Sequence, residues 1–243
     1  MGGKIECYLD IASYYSYIAY VQLRRNAGLL KRHGVELQIH PVLIGAINVG
    51  SGNSPPWKVP AKAKHGQYDM KRAAKAVGLK DVSVPGDLMV IGKTIVPMRA
   101  LTYIKASFPE DIYLTVFGYL FHAFWTLHKV PNTESVLAEV LAEIPADFHL
   151  DCYNTAPASD TTTNNKKLFT EEQVSQILAG ISKPEIKDAL KARVDEALKR
   201  GAFGAPWIWA TDAQGRAEPF FGSDRWHWVF DFLGVEHQEK ARL

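Results

Sequence analysis

The sequence predicts an α/β fold in which a βαβ unit and a ββα unit flank a long all-helical block. Three observations lead to this prediction. Strand-like alternation is confined to residues 5–44 and to the segment after residue 200. Apolar residues at helical spacing occupy most of the stretch between them. The short return in the first unit requires parallel strands joined by a right-handed crossover.

The βαβ unit opens the chain. A strand over residues 5–9 ("IECYL") leads through Asp10 into a helix predicted over residues 15–30, and a second strand is predicted over residues 36–44. Residues 45–60 ("GAINVGSGNSPPWKVP") are rich in Gly, Asn, Ser and Pro, and this composition predicts a surface loop.

The helical block and the ββα unit complete the chain. Within the block, residues 152–168 form a polar segment that indicates an insertion or loop. Strands are predicted at 207–210 and 218–221, with a last helix from residue 224. We therefore expect a thioredoxin-like core (1–60 and 201–243) interrupted by a large helical insertion domain (61–200). The helices predicted in the insertion cover residues 61–77, 98–107, 111–128, 133–142, 170–180 and 183–200.

Composition restricts the function classes. A net charge of +2 over 243 residues gives no reason to expect nucleic acid or an anionic membrane as partner. The eight histidines show no metal-ligand spacing, so no metal is expected. Two cysteines, Cys7 and Cys152, make no disulfide framework and favour a reducing compartment.

Targeting signals give one expectation. The first residues lack the basic-then-apolar pattern of a secretory signal, and the most apolar stretch, residues 112–127, is shorter than a bilayer span. The tripeptide Ala241-Arg242-Leu243 has the small–basic–Leu form of a peroxisomal address related to Ser-Lys-Leu. We therefore expect a peroxisomal location, with mitochondria or cytoplasm as the alternatives.

The first strand–helix junction carries the main functional signal. In redox proteins of the thioredoxin type a Cys-x-x-Cys pair occupies this place, whereas here Ser13 and Ser16 stand at the same spacing. A serine at a helix start commonly caps the orphan N–H groups of the first turn. The same helix start also stabilises anions, so a thiol brought by a ligand would ionise there, with Ser13 donating a hydrogen bond to the thiolate. We infer that the missing sulfur arrives with the ligand.

Two further loops converge on this junction in a thioredoxin-like core. Pro206 would be the cis-proline opposite the first helix, leaving the backbone of Ala205 to pair with an extended peptide ligand. Ser223 and Asp224, predicted at the start of the last helix, suit a ligand carboxylate and amino group, respectively. The γ-glutamyl end of glutathione carries both groups.

These segments together resemble the kappa-class glutathione transferases and the related 2-hydroxychromene-2-carboxylate isomerases. "YLDIASYYSY", "SGNSPP", "GAFGAP", "FFGSDR" and the Ala-Arg-Leu end occur in the family's order, and the pair formed by GAFG-x-P and FGSDR is specific. The resemblance implies a homodimer in which Ser13 contacts the glutathione sulfur, and it places Lys62 near the glycyl carboxylate. The other glutathione contacts that it implies are Tyr14, Tyr15, Asn53, Ala205, Ser223 and Asp224.

The chain also departs from that family. Tyr14 and Tyr17 stand where the family usually has Pro and Trp, and residues 152–168 are an insertion within the helical block. These departures concern the second substrate more than glutathione. The large aromatic side chains of residues 113–125 either line an apolar electrophile pocket or pack the insertion, and packing is the simpler interpretation.

These features are compatible with three functions and disfavour a fourth. The leading hypothesis is a glutathione transferase that conjugates glutathione to, or reduces, an apolar electrophile in detoxification. Glutathione-dependent isomerisation uses the same serine and pocket, and a non-catalytic thiol-peptide binding module would bind glutathione without turnover. A disulfide oxidoreductase is disfavoured because positions 13 and 16 carry no sulfur.

Overall fold

The structure is a computed structural model and describes residues 2–149 and 166–236. Its four strands form one sheet, and its helices lie mostly between the second and third strands. The strands are β1 (Gly3–Leu9), β2 (Val35–Pro41), β3 (Trp207–Asp212) and β4 (Ala217–Phe221). The helices are α1 (Tyr14–Arg32), α2 (Ile44–Ser51), α3 (Pro60–Ala76), α4 (Leu88–Ile91), α5 (Ile95–Ser107), α6 (Glu110–Trp125), α7 (Glu134–Glu143), α8 (Glu171–Gly180), α9 (Pro184–Lys199) and α10 (Trp226–Leu233).

The sheet has the topology of a thioredoxin-like core. Its strand order is β2-β1-β3-β4, with β1 parallel to β2 and antiparallel to β3, and β3 antiparallel to β4. The predicted βαβ and ββα units are therefore confirmed, and so is the helical insertion between them. The exact division of the chain at residues 60 and 200 stays a prediction.

Helices cover both faces of the sheet. On one face, Ile5, Cys7 and Leu9 of β1 pack in the main core with α1, α10 and the helices of the insertion. On the other face, Tyr8 packs in a second, smaller cluster with buried side chains of α2 and α9. Alternation along β1 thus divides the core into two layers, as the period of a strand requires.

Two expectations about local structure are corrected. Residues 45–51, predicted as loop, form α2 together with Ile44, which was predicted to end the second strand; α2 buries Ile47 and ends at Gly52 in the left-handed conformation (φ 73°). The sequence did not predict this helix for two reasons. The segment is rich in residues that favour turns, and its two helical turns bury only one side chain, so apolar periodicity is not visible. The last helix begins at Trp226 and not at residue 224.

The insertion has an aromatic core. Tyr17 stacks on Phe121 with ring centroids 5.0 Å apart, and Phe117 stacks on Phe121 at 5.3 Å. All three side chains are fully buried, so they pack the insertion against α1 and do not line an open pocket. Within residues 2–149 and 166–236, no helix is both long and apolar enough to span a bilayer.

Candidate active site

The loops expected to converge are in contact. The Ser13 hydroxyl donates to the carbonyl oxygen of Ala205 at 2.8 Å, across 192 positions of sequence. The peptide bond between Ala205 and Pro206 is cis. The Gly222 N–H donates to the carbonyl of Pro206 at 3.3 Å, which brings the loop before α10 to the same place.

Asn53 fastens a fourth segment to this cluster. Its side-chain amide donates to the carbonyl of Phe203 at 2.5 Å, and its side-chain oxygen accepts from the N–H of Ser54 at 2.8 Å. Asn53 is therefore anchored two residues before Ala205. Turn chemistry and the family resemblance were the only signals of this contact in the sequence.

Ser13 is the N-cap of α1. Its φ of −94° and ψ of 113° are extended, and its side chain accepts from the N–H of Ser16 at 3.1 Å. The residue is 7% exposed. The only proton of the hydroxyl is directed at the carbonyl of Ala205. The hydroxyl oxygen lies at the N-terminus of α1, which is the positive end of the helix dipole.

The protein supplies no reactive sulfur among the described residues. Ser16 is fully buried, and its hydroxyl oxygen has no hydrogen-bond partner within the described part of the chain. Cys7 is enclosed in β1, and this burial raises the pKa of its thiol far above the usual range. Cys152 lies outside the described residues.

Tyr14 and Tyr15 attach α3 to the start of α1. The Tyr14 hydroxyl donates to the carbonyl of Met70 at 2.7 Å, and the Tyr15 hydroxyl donates to the Asp69 carboxylate. Burial and the charge of Asp69 raise the pKa of Tyr14 to about 12. Burial, the Asp69 bond and, more weakly, the charge of Asp224 also raise the pKa of Tyr15, so both hydroxyls stay protonated donors at neutral pH.

Asp69 is a residue of this region that the sequence analysis did not identify. It lies seven positions after Lys62, a spacing that places both residues on the same face of α3. The Lys62 side chain is exposed. Its role toward a glycyl carboxylate stays a prediction.

Ser223 and Asp224 lie in the turn before α10. Ser223 is buried, whereas Asp224 is exposed and forms an ion pair with Arg225. Gly222 has a φ of 98°, and a Cβ there would approach Oδ1 of Asp224 to 2.8 Å, so the turn requires glycine. Because α10 starts two residues later than expected, Arg225 occupies its N-cap position.

Asp10 is a buried residue that links the first strand–helix junction to α2 and to Thr94 through hydrogen bonds. It is fully buried and accepts from the N–H of Ala12 at 3.0 Å, the N–H of Ile44 at 2.7 Å and the Thr94 hydroxyl at 2.8 Å. Burial raises its pKa to about 6, although these hydrogen bonds act in the opposite direction. Through its bond to the N–H of Ile44, Asp10 caps the start of α2.

Several sequence-based expectations cannot be placed in the structure. The polar segment up to residue 165 and the Ala241-Arg242-Leu243 tripeptide lie outside the described residues, and the peroxisomal location stays a prediction. Among residues 2–149 and 166–236, no three His, Cys, Asp or Glu side chains are arranged to hold a metal ion.

Comparisons with known proteins agree with the thioredoxin-like fold. A family model described as a DSBA-like thioredoxin domain matches residues 4–234. Glutathione S-transferase kappa 2 of Caenorhabditis elegans is 27% identical over 235 residues, which cover 94% of this chain and 91% of that protein. Glutathione S-transferase kappa 1 of Homo sapiens is 26% identical over 234 residues, covering 95% and 90% respectively.

A solved structure shows the same fold. The structure of a 2-hydroxychromene-2-carboxylate isomerase superposes with a TM-score of 0.67 at 17% identity, and the match covers 95% of this chain and 94% of the isomerase. At that identity the likeness concerns the fold.

Proposed function

The chain belongs to the family of DSBA-like thioredoxin domains, and on that premise we propose that it is a glutathione transferase of the kappa type. Kappa transferases of two animals align with at least 94% of the chain, and these alignments support the proposal. The site retains the thioredoxin-like architecture but carries hydroxyls in place of the redox sulfurs. A tripeptide thiol therefore has to supply the sulfur.

One observation carries the proposal: the contact between the Ser13 hydroxyl and the Ala205 carbonyl at 2.8 Å. It places a hydrogen-bond donor at the positive end of α1, directly beside backbone suited to an extended peptide. A thiolate bound there gains a charge-assisted hydrogen bond and the field of the helix terminus. Both effects favour the ionised thiol over the neutral one.

The geometry suggests how the hydroxyl becomes available. Ser13 has a single proton, which the Ala205 carbonyl accepts in the structure. When glutathione binds, its cysteinyl N–H donates to that carbonyl, and the Ser13 hydroxyl rotates toward the sulfur. The hydroxyl oxygen keeps accepting from the N–H of Ser16, so the helix stays capped while the proton changes partner.

The remaining predicted contacts surround this centre. Asp224 lies close enough to Tyr15 to affect its pKa, which supports a position for the γ-glutamyl amino group between Tyr15 and Asp224. Asn53 and Lys62 are assigned to the glycyl end. These roles are proposals, which the family resemblance and the anchoring of Asn53 to Phe203 support.

The second substrate is proposed to be an apolar electrophile. Met89 and Val90 of α4 are 52% and 64% exposed. The helix ends at Gly92, where an added Cβ would lie 3.9 Å from the Cβ of Ala12, next to Ser13. This exposed apolar surface near the thiolate position supports conjugation or reduction of hydrophobic electrophiles. A detoxifying role and a homodimer, which the resemblance implies, belong to the same proposal.

A crystal structure with glutathione and a product analysis together test the proposal. We expect the sulfur within hydrogen-bond distance of Ser13 Oγ and a stable conjugate after incubation with an aryl halide electrophile. Glutathione that is bound but regenerated while a chromene carboxylate isomerises would identify the isomerase instead. Binding without turnover of either substrate would indicate a binding module, and glutathione bound elsewhere would overturn the site.

A further inference from the structure

The positive charges of the chain are concentrated around α3. Residues 57–80 contain seven of the chain's 28 Lys and Arg residues and one of its 26 Asp and Glu residues. This segment therefore carries a net charge of +6, while the rest of the chain carries −4. The overall charge of +2, which gave no reason to expect an anionic partner, is the sum of two opposite contributions.

The structure directs these charges outward. All seven cationic side chains in residues 57–80 are exposed. The single acidic side chain, Asp69, is turned toward the protein and accepts from the Tyr15 hydroxyl. The solvent-facing charge of the segment is thus uniformly positive.

Five residues of α3 form a continuous outer face, which we name the basic stripe. They follow one another at intervals of four, three, one and three positions, which places them on one side of the helix. Asp69 and Met70 lie on the other side, where they accept hydrogen bonds from Tyr15 and Tyr14. The basic stripe consists of Lys64, Tyr68, Lys71, Arg72 and Lys75.

The basic stripe is unfavourable for the helix itself. Lys71 and Lys75 are four positions apart, a spacing at which like charges repel and destabilise an isolated helix. Of the 17 residues of α3, only Ala74 is buried. Neither helix stability nor core packing explains the arrangement, which suits an anionic partner.

Apolar side chains lie among the cations. Trp57, Val59 and Tyr68 are 39%, 46% and 57% exposed, and Lys58 separates the first two. Trp and Tyr favour the headgroup region of bilayers, and clusters of basic residues on a helix bind anionic lipid headgroups. We propose that residues 57–80 bind the surface of an anionic lipid bilayer, with the basic stripe against the headgroups.

The composition of the segment favours lipid over nucleic acid. Six of its seven cations are lysines, which act as flexible point charges, whereas the planar fork of arginine is the group preferred for nucleic acids. Exposed Trp57 and Val59 gain by burial at the acyl boundary, a gain that a phosphate backbone does not provide. The inference does not rest on the proposed function, because the surface needs neither glutathione nor turnover.

Vesicle co-sedimentation of the full chain tests the inference. We expect binding to vesicles that contain phosphatidylserine and not to vesicles of phosphatidylcholine alone. Lys71→Gln/Lys75→Gln should lower the partition coefficient by roughly fivefold per lysine. The control, Lys187→Gln/Lys199→Gln, removes the same charge from α9. It is matched because Lys75 and Lys199 each lie in the last turn of their helix.

Two further measurements complete the experiment. High salt should release the protein from the vesicles, since screening shortens the range of these attractions. Tyr68→Ser should weaken binding, whereas Trp228→Ser, at a residue of similar exposure on α10, should not. Absence of binding to phosphatidylserine vesicles would overturn the inference, as would equal losses in the two lysine variants. Retention on duplex DNA or RNA without vesicle binding would overturn it in favour of nucleic acid.

Discussion

Replacing Ser13 by alanine removes both hydrogen bonds of its hydroxyl. The hydroxyl accepts from the N–H of Ser16 at 3.1 Å and donates to the Ala205 carbonyl at 2.8 Å. Loss of the N-cap costs about 1 kcal/mol, and loss of a neutral hydrogen bond costs about 1 kcal/mol. We therefore expect Ser13→Ala to lower the free energy of unfolding by about 2 kcal/mol.

The larger effect concerns the bound thiol. A hydrogen bond to a charged group is worth about 1.5–3 kcal/mol, and one pKa unit corresponds to about 1.4 kcal/mol. The pKa of glutathione bound to Ser13→Ala should therefore be higher by about one to two units than in the parent protein. At neutral pH this would lower the thiolate fraction and the rate of conjugation by about 10- to 100-fold, and the loss should be recovered as the pH rises.

The assay is the thiolate ultraviolet absorbance of bound glutathione as a function of pH, recorded beside the pH dependence of kcat/KM. Ser13→Thr keeps a hydroxyl and should restore most of the pKa depression. Ser16→Ala is the matched control in the same turn: it removes a buried hydroxyl without a partner among the described residues, so it should leave the thiol pKa unchanged and not lower stability. A Ser13→Ala protein that is less stable but shows an unchanged thiol pKa would refute the reasoning and leave Ser13 as a cap alone.

Three further predictions concern stability and glutathione affinity. Burial raises the pKa of Asp10 from 3.8 to about 6. Between these pH values the native state holds a proton that the unfolded chain has lost. The free energy of unfolding, compared with that of Asp10→Asn, should therefore fall by roughly 3 kcal/mol as the pH rises through this window. Denaturant titrations at several pH values check this, and a constant difference between the two proteins would contradict it. Gly180→Ala should destabilise by about 1–3 kcal/mol, because its Cβ would lie 2.3 Å from the ring of Tyr103; an unchanged melting temperature would disagree. Asn53→Ala removes the hydrogen bond that anchors its loop. Because one neutral hydrogen bond is worth about 1 kcal/mol, KM for glutathione should rise by about fivefold with little change in kcat. A fall in kcat alone would argue for a different role of Asn53.

Local patterns in the sequence were sufficient where an element depends on neighbours within one or two turns. Thr170 and Gln173 form the capping box that starts α8, and Pro184 occupies the first turn of α9. Both helices begin within one residue of the starts predicted at 170 and 183. The same holds for Ser13 at the start of α1. The two-turn helix α2 was missed because it buries too little for apolar periodicity to show, and its start is capped by Asp10, 34 positions earlier.

The candidate site divides in the same way. The residue types at positions 13, 205, 223 and 224 pointed to a thiol peptide because helix termini, hydroxyls and a proline have definite chemical roles. The sequence did not indicate that Tyr15 binds Asp69 or that Asn53 binds the carbonyl of Phe203, 150 positions away. The sequence contains the lysines of α3, but it did not indicate that all of them are exposed to solvent while Asp69 faces the protein.

The sequence alone determined the order of the strands and of the longer helices. It also determined that positions 13 and 16 carry no redox sulfur and that a hydroxyl stands at the start of the first helix. Which distant groups those residues meet was decided only by the tertiary structure: Ser13 contacts Ala205 across 192 positions. The physical reason is that apolar periodicity indicates which side of a helix or strand is buried, and a capping motif depends only on residues within one turn of the helix end. Long-range hydrogen bonds, by contrast, depend on how the whole chain packs, and in this protein those bonds assemble the site.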